Sequence, residues 1–92
     1  RSMTTLTLSD QATGVVKDAM VSQRRLLEAS RHEYRQRLEA FERRHGTTTK
    51  RFLRRFHAGE LGDAPVWFDW LFAHQAHTEL SKRLAILRDI KL

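Results

Sequence analysis

The chain has 92 residues, with 17 Lys or Arg against 11 Asp or Glu, a formal charge of +6, one Pro and no Cys. That length favours one domain burying about two-thirds of its unfolded surface, so a partner or a second copy can supply part of the core. The absence of Cys excludes disulfide frameworks, thiolate zinc sites and cysteine nucleophiles, and no apolar run nears the roughly 20 residues of a membrane helix. A cytoplasmic protein with no membrane partner is the expectation.

Arg1-Ser2 ahead of Met3 reads as a cloning remnant, which sets a single expected helical domain at 3–92. Thr4-Thr5-Leu6-Thr7-Leu8 alternates β-branched and apolar residues, the pattern of a short strand. Such a strand needs a second chain to pair with, or stays loose. Ser9 or Asp10 then provides an N-cap.

From about Gln11 to His45 the only helix-weakening residue is Gly14, near the start. Val16, Met20, Leu27, Tyr34, Leu38 and Phe41 follow one another at helical steps and form one stripe. A helix of roughly 35 residues spans about 50 Å and needs neighbours along its length. Gly46 is placed as its C-cap, and Thr47-Thr48-Thr49 supplies the next N-cap.

A short helix over about Thr49–Ala58 and a Gly59-Glu60-Leu61-Gly62-Asp63 turn come next. Asp63 ahead of Ala64-Pro65 signals the last helix, expected to run to about Ile90. Trp67, Trp70 or Leu71, His74, His77, Leu80, Leu84 and Leu87 form its packing face, with Ile86 and Ile90 flanking. The expected fold is all-α: two long helices in an antiparallel hairpin joined by a short amphipathic helix, assembled as a helical homodimer.

The positive charge is local. Residues 24–55 carry eleven bases against four acids, a net +7, while 1–23 sum to zero and 56–92 to −1. Such a block suits an acidic partner, either nucleic acid or an acidic protein surface. On a helical wheel, Lys50, Arg51, Arg54 and Arg55 occupy one side of the short helix and Phe52, Leu53 and Phe56 the other. Arg43 and Arg44 lie just upstream, giving six bases without an acid over 43–55. These six are the expected contacts to phosphate or to an acidic partner, against the alternative of an ordinary solvated cationic face. No helix-turn-helix, ribbon-helix-helix or zinc-finger spacing is present to read bases directly.

Trp67, Phe68, Trp70, Leu71 and Phe72 cover most of a helix circumference, so one core cannot hide them all. Trp67, Phe68, Trp70 and Leu71 are the expected protein-interface residues. His74 and His77 stand at i, i+3, a spacing open to a metal ion, but no Cys or adjacent carboxylate completes a ligand set. Two histidines in a helix interface are the favoured reading, with no metal or cofactor. No nucleophile elbow or phosphate loop occurs, which argues against an enzyme.

The stretch from Phe41 through Gly46, Phe52 and Phe56 to the Gly59-Glu-Leu-Gly62-Asp63 turn, closing on Phe68-Asp-Trp70, resembles small prokaryotic antitoxin-like proteins encoded beside TumE-type toxins. Those have a long helix ending in Gly, a Thr- or Ser-capped short helix with two Phe, a Gly-x-Leu-Gly-Asp turn and an aromatic-x-Trp helix. About 30 residues carry the likeness. It departs at Lys50, Arg51, Arg54 and Arg55, where that group has acidic or mixed residues. The resemblance implies an antitoxin that binds a cognate toxin protein and, through its basic segment, operator DNA. The alternative is a helical dimerisation or scaffold protein with no nucleic-acid role.

Overall fold

The computed structural model describes residues 9–91, so the strand expected over 4–8 lies outside the described part. Three helices occur in order: α1 (Asp10–His45), α2 (Thr49–His57) and α3 (Pro65–Asp89). Among the described residues there is no strand, and no helix is long and apolar enough to cross a membrane. The molecule measures 56 × 30 × 18 Å.

Local chemistry sets the ends of each helix. Ser9 caps α1, its hydroxyl accepting from the Ala12 N–H at 3.1 Å. Asp10 in the first turn and Arg43, Arg44 and His45 in the last both complement the helix dipole. At Gly46 the backbone turns left-handed, with φ 63°, and its N–H and that of Thr47 both donate to the Glu42 carbonyl. Only glycine enters that region without a steric penalty.

The second helix starts on Thr48, whose hydroxyl accepts from the Arg51 N–H at 3.1 Å. Glu42 reaches across from α1, and its carboxylate accepts the Thr49 N–H at 2.7 Å. A negative group at an N-terminus is stabilising, and here it offsets the two bases, Lys50 and Arg51, in that same turn. The third helix starts at Pro65, as expected; Ala64 occupies the N-cap position with no side-chain bond, and the missing N–H of Pro65 needs no partner.

α1 and α3 run antiparallel, and α2 packs across both at the connecting end. The stripe expected on α1 faces inward: Leu27 and Leu38 are buried, while Val16, Met20, Tyr34 and Phe41 are half-buried. On α3 the buried residues are Trp70, Ala73 and Leu84. Ile86 and Ile90 do not flank the core as expected but stay exposed.

The core itself is concentrated at one end. Leu38, Phe52, Trp70 and Ala73 form its centre, with Tyr34, Phe41, Leu53, Phe56, Leu61 and Trp67 packed around them. Trp70 is fully buried. Its ring lies 4.1 Å from that of Phe52 and parallel to it within 1°, and Phe41 stacks on it at 5.4 Å. The indole N–H donates to the Thr49 hydroxyl at 3.0 Å, so the one polar atom of the buried side chain is satisfied. Each of the three helices thus contributes one parallel ring to a single stack.

This arrangement predicts a steep contrast between the two sides of α2. Phe52→Ala should cost about 3–5 kcal/mol in urea denaturation. Arg51→Ala, on the exposed side, should change stability by less than about 0.5 kcal/mol. Trp70→Phe keeps the apolar contact but abandons the Thr49 bond, at a cost of about 1 kcal/mol or more.

Candidate functional site

The elbow, where α2 packs across α1 and α3 at their connecting end, decides which side chains are free to act. Because Phe52 is buried and Leu53 and Phe56 are half-buried, α2 is fixed in rotation, and Lys50, Arg51, Arg54 and Arg55 all end up exposed. Arg43 and Arg44 are exposed too. The six bases do not all border the same groove, however. Arg55 is drawn to Glu60 in the following turn, Nε to Oε1 at 3.4 Å. Arg44 borders a groove between α1 and α3 together with Arg37, Asp69 and Phe72. Lys50 borders a separate cleft with Arg35, Glu39 and His74.

The expected aromatic interface divides in two. Trp70 lies at the centre of the core and offers no surface to a partner, so its interface role is withdrawn. Trp67 and Leu71 are half-buried, Trp67 resting against His45 at 5.0 Å and Phe52 at 6.0 Å. Phe68 is 50% exposed and held edge-on to Phe56 at 5.6 Å. The ring that replaces Trp70 on the surface is Phe72, 59% exposed and edge-on to Tyr34 at 6.1 Å. Arg37 joins it, its guanidinium 4.7 Å above the Tyr34 ring. A wheel separates these groups, since Phe68 and Phe72 lie about 40° apart while Trp70 is about 200° from Phe68.

His74 and His77 are both half-buried on the side of α3 that meets α1 and α2, lining a cleft with Leu38 and Leu53. His77 also faces Glu28, Arg31, His32 and Arg35, and its Nε2 is buried without a hydrogen-bond partner. Burial holds its pKa below 6.5, and the positive charges of Arg35 and Arg31, with His74 beside it, push in the same direction. The same positive potential opposes a divalent cation. No group of three or more His, Asp or Glu among the described residues is arranged to hold a metal.

No protein-family model, curated protein or solved structure matches this chain.

The environment of His77 sets a pH dependence. In the unfolded chain the ring protonates near 6.5, whereas in the fold it resists protonation until a lower pH. Its contribution to stability is therefore complete above about pH 6.5 and declines as pH falls below that value, until the folded ring also takes up its proton. In an NMR titration, His77 should titrate below 6.5, and Arg35→Gln should move it upward. An unchanged midpoint in that variant would remove Arg35 as a cause.

Proposed function

We propose that this protein is a non-enzymatic, antitoxin-like component that binds a cognate toxin protein at the elbow end and displays the basic side of α2 to operator DNA. The observation carrying this reading is the one-sidedness of α2. Its aromatic side is anchored in the core, and its outward side presents Lys50, Arg51 and Arg54 with no acidic partner among the described residues. The rotationally fixed helix holds the backbone of these bases in place, so only side-chain freedom is lost on contacting a phosphate or a carboxylate.

The resemblance to antitoxins encoded beside TumE-type toxins supports the same reading. Phe41, Phe52, Phe56, Leu61 and Trp70, which carry that likeness, all belong to the elbow core. They build the platform, and the exposed residues around it make the contacts.

Two measurements test the proposal. Co-expression with the product of the adjacent reading frame should yield a stable complex and relieve that product's toxicity in a growth assay. A neighbour that neither binds nor harms cells defeats the antitoxin reading. Duplex DNA affinity should fall by about 0.9 log unit per tenfold rise in salt for each phosphate engaged. Arg51→Glu with Arg54→Glu should flatten that slope, and a flat response in the unaltered protein removes the DNA role.

A second reading, self-association, is favoured by the opposite end of the hairpin. Val15, Leu26, Ile86 and Ile90 are large, apolar and exposed there, and among the described residues only Leu27 and Leu84 are buried near them. Such surface suits a second copy packed as a helical dimer. Leu26→Glu with Ile86→Glu should then give a monomer in sedimentation, while the α2 charge reversals leave the assembly intact.

A further inference from the structure

We infer that the groove between α1 and α3 beside the elbow is a docking surface for an amphipathic helix of a different, acidic protein. This rests on the antitoxin reading and locates the contact that the reading requires. The groove has a volume of about 590 Å³ and is lined by no residue of α2. Its walls are apolar at the centre, formed by Ala40, Phe41, Phe72 and Ala73. Its rim is charged, with Arg37 and Arg44 on the α1 side and Asp69 on the α3 side.

Aromatic rings flanked by arginines are the composition from which strong protein contacts are made. Two features add to that composition. The first is order before binding: Arg37 sits over the Tyr34 ring at 4.7 Å, and Tyr34 meets Phe72 edge-on at 6.1 Å. The chain of contacts holds both an anchor ring and a charged rim residue in place, so less side-chain freedom is lost on docking.

The second feature is charge. Arg37 and Arg44 are seven residues apart, so about 10 Å separates them along one side of α1. Neither forms an ion pair among the described residues. Two carboxylates about two turns apart on a docked helix match that spacing, with an apolar side chain between them resting on Phe72. Asp69 on the far rim calls for a base on the helix's other edge.

Charge also decides against a second copy as the occupant of this groove. Each chain carries +6, concentrated in the block that contains Arg37 and Arg44, so two copies would bring like charges together here. An acidic partner meets no such opposition.

The test uses the full chain co-expressed with the product of the adjacent reading frame, with the affinity of the purified pair measured by calorimetry. Phe72→Glu, and separately Ala40→Glu, should weaken binding by about thirtyfold or more. Both positions are exposed, so circular dichroism and the melting temperature of each variant should match the unaltered protein. Lys82→Ala, exposed on α3 and outside the groove lining, should leave this affinity within about threefold. If both groove variants bind like the unaltered protein, the groove is not the docking surface, although the antitoxin reading stands. If the unaltered protein does not bind the neighbour, both fall. If the free protein is a dimer that Phe72→Glu converts to a monomer, the groove belongs to a second copy and the inference is overturned.

Discussion

Every feature at the elbow follows from placing one tryptophan completely out of water. A buried indole brings a large apolar surface and one N–H that must find an acceptor, and Trp70 obtains the first from Phe41 and Phe52 and the second from Thr49. These partners lie on two helices other than its own. α2 must therefore begin within a few residues of the end of α1, and it must point its first turn at α3. Gly46 makes the reversal possible, Thr48 caps the new helix, and Glu42 supplies a second acceptor to its exposed N–H groups. Thr48 in the short linker and Thr49 in the first turn of α2 serve that geometry with their hydroxyls.

The same constraint separates structural from available residues. Aromatic density alone marks residues 67–72 as a sticky segment, but a helix distributes adjacent residues around its circumference. Trp70 and Ala73 turn inward, Trp67 and Leu71 are half covered, and Phe68 and Phe72 remain outside. On α2 the division is sharper because the helix is only nine residues long and has one packing side. Its bases are displayed as a consequence of what its phenylalanines bury.

Features encoded within one or two turns were legible in the sequence. The α1 stripe, the Ser9 and Gly46 caps and the two-sided character of α2 depend on spacing and local hydrogen bonding, and they follow from the residues directly. What was not legible depends on which elements meet. Nothing local says that Thr49 will accept from Trp70, that Glu42 will cap a helix seven residues ahead, or that Ala73 will lie in the core cluster beside Leu38 and Phe52. The six bases near the elbow illustrate the same limit. They look like one block in the chain, but Arg44 and Lys50 border different grooves, and Arg55 meets Glu60.

The hairpin is unequally built along its length, and that inequality bears on where partners act. Among the described residues, four of the six buried apolar ones lie in the elbow cluster, and the far end has Leu27 and Leu84. An isolated helix is only marginally stable in water, and most of its stability in proteins comes from burying an apolar face. The first half of α1 and the last turns of α3 gain little from each other in this respect, and Val15, Leu26, Ile86 and Ile90 remain in solvent. A molecule covering those residues would stabilise the far end by removing apolar surface from water, at roughly 25 cal/mol for each Å². A molecule docking at the elbow would meet a surface already ordered by Trp70 and would gain mainly from complementarity. The two ends therefore answer to different physics, with association at the far end coupled to helix stability and recognition at the elbow set by fixed shape and charge.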